Sequence, residues 1–146
     1  MNLALILSGG VGTRMGSNIP KQYIKVAGKP IISYSVQPFI ENKRIDKIII
    51  ALDSLWVDYV KNSIPISNKQ LYFSVSGETR ENTIYNALKM AKKIGGIDDD
   101  VVIIHDGVRP LVSQRVINDC LDGCEKYDAA IATISVKDTI YVNEEG

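Results

Sequence analysis

From Ser8 to Gln22 the chain reads SGGVGTRMGSNIPKQ, a stretch rich in residues suited to holding an anion. Glycines at 9, 10 and 12 remove side chains where the backbone must bend sharply. A loop of that kind can turn several N–H groups toward one charge. Arg14 and Lys21 follow, with Pro20 fixing the approach to the lysine. Amides, a guanidinium and an ammonium in this order predict a cradle for a triphosphate. The plainer alternative is a strand-to-helix loop with solvated charges. Spacing excludes two other phosphate loops. After Gly10 and Gly12 the next glycine is Gly16, one residue late for a dinucleotide fingerprint, and Gly16-Ser17 lacks the lysine of a P-loop.

Two further polar clusters carry potential chemistry. His105-Asp106-Gly107-Val108-Arg109-Pro110 ends the apolar run Val101 to Ile104. A single carboxylate such as Asp106, with phosphate oxygens and waters, makes a usual Mg²⁺ shell; a turn or cap aspartate is the simpler reading. Arg109, stiffened by Pro110, suits a bidentate contact to a phosphate. His105 is expected to orient the turn rather than to move protons. In the other cluster, Gly77 allows close approach of a base to the backbone, and the Thr83 hydroxyl could meet a base edge. By spacing alone, Thr79 and Thr83 read as capping residues.

These clusters need a scaffold. Apolar or β-rich runs at 3–7, 46–52, 70–75, 101–105 and 129–135 alternate with helical patterns. Ile31 to Phe39 predicts a first helix that Pro38 bends or ends. A short second helix is expected from Leu55 to about Asn62. The third carries Ile84, Ala87, Leu88, Ala91 and Ile94 at helical spacing, capped by Thr79 and stopped by Gly95-Gly96. The fourth, capped by Ser113, aligns Val116, Ile117, Cys120, Leu121 and Cys124. Such alternation predicts an α/β fold, Rossmann-like, with a mostly parallel sheet and helices on both faces. Ligands of such sheets bind beyond the carboxyl ends of the strands, and each polar cluster follows a strand.

A chain of 146 residues fits one domain with a single core. Seventeen basic and seventeen acidic residues cancel, which argues against nucleic-acid or anionic-membrane partners. No apolar run approaches the ~20 residues of a membrane span, and no signal segment precedes the first strand, so a cytoplasmic location is expected. Cys120 and Cys124, the only cysteines, are expected to be buried and reduced on one helix face.

SGGVGTRMG…PKQ, GETRENT, HDGVRP and KDT, in that order, resemble the cytidylyltransferases that act on polyol phosphates, whose two best-known branches make CDP-methylerythritol and CDP-ribitol. The resemblance runs from about Leu3 to Asp138-Thr139. It implies a nucleotidyltransferase domain of GT-A-like type, Mg²⁺ as cofactor, and CTP with a polyol phosphate as substrates. Ser8, Gly9, Gly10 and Gly12 would form the CTP loop, with Arg14 and Lys21 on its phosphates. Gly77, Glu78 and Thr83 would surround ribose and cytosine. Asp106 and Arg109 would lie near the metal and the polyol phosphate. Thr139 would contact substrate on the partner of a homodimer, in an arm beginning at about 137–146. Arg14-Met15-Gly16, Thr83-Ile84 and Lys137-Asp138-Thr139 lean toward the ribitol branch; Gly107 departs from the alanine or serine expected there. The family continues for roughly another eighty residues, consistent with a domain near the ~200-residue upper prior, so the chain is expected to lack the C-terminal part of the domain. Alternatives are transfer to another base or sugar phosphate, or a nucleotide-binding fragment without turnover.

Overall fold

The computed structural model describes residues 1–10, 19–65, 69–137 and 139. Gly12 and Arg14 of the glycine-rich stretch, and most of the expected arm beyond 137, lie outside them. The chain opens with β1 (Asn2–Ser8), passes a 3₁₀ turn at Lys21–Tyr23 and a hairpin of β2 (Lys25–Val26) with β3 (Lys29–Pro30), and enters α1 (Ile31–Glu41). Then follow β4 (Lys47–Leu52), α2 (Val57–Ser63), β5 (Gln70–Val75), α3 (Arg80–Lys93), β6 (Val101–Asp106) and α4 (Gln114–Cys124).

The four long strands form one parallel sheet in the order β5-β4-β1-β6. Near-continuous apolar runs in β1 and β4 follow from burial on both faces. Ala4, Ile6, Ile48 and Ile50 pack with Ile32, Val36 and Phe39 of α1 and with Ile117 and Leu121 of α4. Leu3, Leu5, Ile49 and Ala51 face the other way, onto Ala87 and Ala91 of α3. Each fully buried large aliphatic contributes about 1.5–3 kcal/mol. The expected α/β class with a covered parallel sheet is therefore what the chain forms.

The connections set the site. The crossovers from β1 to β4 and from β4 to β5 carry α1 and α2 over one face. α3 then returns over the opposite face and delivers β6 to the far side of β1. The direction of winding reverses between β1 and β6, where such sheets open a crevice at the strand ends.

Helix limits follow local chemistry. Thr79 caps α3 by accepting from the Asn82 amide at 3.2 Å. At the other end Gly95 takes a φ of +94° and the Gly96 amide reaches back to the Ala91 carbonyl at 2.8 Å. That closure uses a conformation few residues but glycine adopt freely. Ser113 caps α4 through the Val116 amide at 3.3 Å. Pro38 does not end α1, which continues to Glu41. The Pro38 carbonyl accepts from the Asn42 amide at 3.1 Å and from Gln114 Nε2 at 2.7 Å, so the final turn is fastened to α4.

Two expectations need correction. The β-prone run 129–135 forms no strand. Among the described residues β6 pairs only with β1, and a strand without a ladder partner leaves its amides and carbonyls to water. Ile131 and Ile134 are accordingly 85% and 92% exposed. Cys120 and Cys124 are free thiols but only half-buried, because the groove beside β6 leaves that side of α4 partly open. Among the described residues, no helix is long and apolar enough to cross a membrane.

Candidate functional site

The exit of β1 is held from behind. Gln22 Nε2 donates to the carbonyls of Ser8 at 2.9 Å and Gly10 at 2.7 Å, and the Tyr23 hydroxyl donates to the Ser8 carbonyl at 3.1 Å. Ser8, Gln22 and Tyr23 are all buried. In a trans peptide the carbonyl and the following N–H point opposite ways, so fixing the Ser8 carbonyl directs the Gly9 amide away from Gln22. Tyr23 stacks on Trp56 at 4.3 Å, and the Tyr59 hydroxyl donates to the Tyr23 carbonyl at 3.2 Å. Burial pushes the Tyr23 phenol up, with the Ser8 hydrogen bond partly opposing, which keeps it a neutral donor. Lys21, one residue before Gln22, is exposed, and its ammonium has no partner among the described residues.

A second loop meets the first. The Ser76 amide donates to the Leu52 carbonyl at 3.0 Å, carrying the chain past the end of β4 toward β1. A Cβ on Gly9 would lie 2.3 Å from the Ser76 Cβ, so the two loops touch only because residue 9 is glycine. At Gly77 a Cβ would lie 2.4 Å from the Asn82 Cβ and 2.8 Å from its backbone carbon. The Gly77 amide donates to Thr83 Oγ1 at 2.9 Å, and that hydroxyl donates to the Thr79 carbonyl at 2.9 Å. Thr83 therefore shapes the turn with the same hydroxyl that sequence reasoning aimed at a base. Leu7, Gly9, Gly10, Gly77, Glu78 and Thr83 line a cleft of about 210 Å³ at this junction.

β6 brings the third cluster. Leu7 and Asp106 are register partners, and the Gly107 amide donates to the Leu7 carbonyl at 2.8 Å. A Cβ at 107 would lie 2.9 Å from that carbonyl oxygen, which explains the glycine in this chain. Ser35 Oγ donates to the Gly107 carbonyl at 2.9 Å and ties the turn to α1. Asp106 Oδ1 accepts from Arg80 Nη1 at 2.9 Å, and Oδ2 accepts from Arg109 Nε at 2.9 Å. His105 Nε2 donates to the Arg109 carbonyl at 3.0 Å, while its ring lies 5.0 Å from Phe39. Burial lowers the His105 pKa below its ordinary value, with the Arg109 hydrogen bond and the Asp106 charge opposing. A neutral imidazole spent on a backbone carbonyl orients the turn.

Gly9, Gly10, Gly77, Glu78 and Thr83 thus line one cleft, with Asp106 and Arg109 at the same end of the sheet, whereas Ser8 is buried behind it with its hydroxyl toward Tyr23. Gly12 and Arg14 lie outside the described residues. Thr139 is exposed, in neither helix nor strand, and is not among the residues lining the cleft. Arg80 is the residue that sequence reasoning passed over. A signal existed: an arginine in the first turn of a helix opposes the macrodipole and calls for a nearby carboxylate.

The donor set bears on a metal. Among the described residues no three His, Cys, Asp or Glu side chains gather as an all-protein cage. Asp106 alone, 29% exposed at the mouth of the crevice, fits a hard cation that takes its remaining ligands from phosphates and water, as Mg²⁺ commonly does.

Comparisons with known proteins bear on the family and the fold. The model of the family described as IspD, 2-C-methyl-D-erythritol 4-phosphate cytidylyltransferase, matches residues 3–146. A protein of that description from Lachnospira eligens is 39% identical over 144 residues, covering 97% of this chain and 61% of its own length. A ribitol-5-phosphate cytidylyltransferase from Lacticaseibacillus paracasei is 35% identical over 147 residues, 99% of this chain and 62% of its own. The crystal structure of 4-diphosphocytidyl-2C-methyl-D-erythritol synthase from Anaerococcus prevotii superposes with a TM-score of 0.81 at 25% identity, covering 99% of this chain and 60% of that one. The chain spans about three fifths of the length of these relatives.

Proposed function

We propose, since the chain belongs to the IspD family of polyol-phosphate cytidylyltransferases, that its glycine-lined crevice binds CTP and serves cytidylyl transfer to a polyol phosphate. The contact between Gly9 and Ser76 carries this reading. It joins the phosphate-suited loop to the Gly77–Thr83 turn in one cleft, with Asp106 one strand away. Ser8, Gly9, Gly10 and Gly12 would face the triphosphate, and Gly77, Glu78 and Thr83 the nucleoside.

In the reaction a phosphate oxygen of the polyol phosphate attacks the α-phosphorus of CTP in line. One P–O bond forms there, the bond to the β-phosphate bridging oxygen breaks, and pyrophosphate leaves with that electron pair. The attacking phosphate is already ionised, so no side chain need remove a proton. This chain's part is then positioning and charge stabilisation. Arg14 and Lys21 would balance charge around the α- and β-phosphates, and Arg109 would hold the acceptor phosphate. Asp106 would hold Mg²⁺, which neutralises charge on pyrophosphate when bound. A homodimer in which Thr139 reaches the partner's substrate extends the same reading.

The relatives' names divide between methylerythritol and ribitol phosphates, and either acceptor fits the proposal, with ribitol 5-phosphate favoured by the motif resemblance alone. Pyrophosphate release measured with each NTP, crossed with ribitol 5-phosphate, 2-C-methyl-D-erythritol 4-phosphate and hexose 1-phosphates, tests the proposal. Turnover is expected only with CTP and one of the two polyol phosphates. CTP binding without release would mark a nucleotide-binding piece of a larger enzyme, and a preference for another nucleotide would overturn the assignment.

A further inference from the structure

Asp106 would be a hindered cation ligand, because each of its oxygens accepts from a guanidinium group. Arg80 Nη1 sits 2.9 Å from Oδ1 and Arg109 Nε sits 2.9 Å from Oδ2. Two positive charges around one negative leave the cluster net positive. A divalent cation entering there would meet two neighbours of its own sign and be repelled by both unless one moved aside. A triphosphate meets the opposite field.

The two arginines also differ in where they are anchored. Arg109 belongs to the same turn as Asp106, three residues on. Arg80 comes from the first turn of α3, directly after Gly77–Thr79 of the cleft, and its side chain is about half exposed, free to move toward solvent or a ligand. It links the turn proposed for the nucleoside to the carboxylate proposed for the metal. Its position at a helix N-terminus is electrostatically poor without Asp106, so an anion arriving in the cleft offers it an alternative partner.

We propose that Arg80 is a positioning residue that closes Asp106 to divalent cations until a triphosphate draws its guanidinium away, so that metal enters with the nucleotide and not before it. The inference rests on the cytidylyltransferase reading of the crevice. It gives Arg80 two duties: it holds Asp106 before nucleotide binds, and it contributes positive charge once nucleotide is bound.

The test is Mn²⁺ binding to the chain, followed by electron paramagnetic resonance without turnover, together with CTP binding by calorimetry in the presence of chelator. Wild type without nucleotide should bind Mn²⁺ weakly, and R80Q about two- to fivefold more tightly, the range that removing one exposed like charge allows. R80K, which keeps the charge, should stay near wild type. D106N combined with R80Q should lose the gain. R80Q should also bind CTP more weakly in chelator. Equal Mn²⁺ affinity in wild type and R80Q, with CTP binding intact, would overturn the latch and leave the nucleotide site standing. Absence of CTP binding in wild type would instead remove the reading on which the latch depends. Thermal melts of each variant confirm folding, which the exposure of Arg80 leads one to expect.

Discussion

The Gly107 amide donates to the Leu7 carbonyl at 2.8 Å, so the turn that carries Asp106 is stitched to the last apolar residue before the glycine-rich loop. That one bond lies at the point where the winding of the sheet reverses. It brings the turn that carries Asp106 against the exit of β1, although about a hundred residues separate them in the chain.

Gln22 should prove as important to the loop as any residue facing a ligand. Its amide nitrogen serves the Ser8 and Gly10 carbonyls together, and it is buried. Gln22→Leu keeps the apolar bulk and removes both donations, leaving the Gly10 carbonyl without that partner. A loss of about 1–3 kcal/mol in chemical denaturation is expected, the cost of stranding buried acceptors. CTP affinity measured by calorimetry should fall further than the stability loss alone would require, because the loop no longer holds its shape. An unchanged midpoint and affinity would show the clamp to be incidental.

Gly77→Ala tests the contact between the second loop and α3. The new methyl would lie 2.4 Å from the Asn82 Cβ and 2.8 Å from the Asn82 carbonyl carbon, and backbone cannot swing aside as a flexible side-chain tip can. Overpacking of this kind costs about 1–3 kcal/mol. Denaturant midpoints should fall accordingly, and amide exchange should quicken at Thr83, whose amide bonds to the Thr79 carbonyl in the turn that must shift. A variant as stable as wild type would mean that the turn has more room than its geometry gives it.

Much of the architecture was legible in the sequence because burial on both faces writes itself as unbroken apolar runs. LALIL in β1 and IIIAL in β4 could be little else, and their polar followers had to gather at one sheet edge. The run 129–135 misled for the same reason: alternation records a preference for pairing, but a strand also needs a neighbour, and β6 offers none among the described residues. Of the two effects expected of Pro38, ending the helix does not occur, because its lost donor matters less near a helix end that another helix fastens. Spacing read Thr83 as a capping residue, in line with its hydroxyl on Gly77 and Thr79, but could not show that Arg80 crosses to Asp106. That is a long-range fact, and only the dipole argument hinted at it.

Stability should depend on pH through His105. Burial lowers its folded-state pKa, so below about pH 6.5 the unfolded chain binds a proton that the folded chain resists. The contribution is fully present above that value and is lost as pH falls toward the depressed folded-state pKa. Urea denaturation between pH 5 and 8 should therefore show stability rising with pH up to roughly 6.5. His105→Gln, which can still donate toward the Arg109 carbonyl, should flatten that part of the curve relative to wild type. Parallel curves for the two proteins would mean that carboxylates alone set the slope.

Lys21 carries the last prediction, and it separates catalysis from binding. Its ammonium projects from a turn whose neighbours, Gln22 and Tyr23, are locked to the Ser8 carbonyl, so its backbone is placed before any ligand arrives. A charge held ready for a transition state stabilises it without reorganisation, and removing one such donor commonly costs on the order of 10²–10³ in turnover. In a form of the protein that releases pyrophosphate, Lys21→Ala should lose activity on that scale, with a much smaller change in CTP affinity. The exposed side chain makes no contact among the described residues that the fold needs, so melting should be unaffected. Near-normal pyrophosphate release from Lys21→Ala would remove the lysine from the reaction and shift the burden to Arg14.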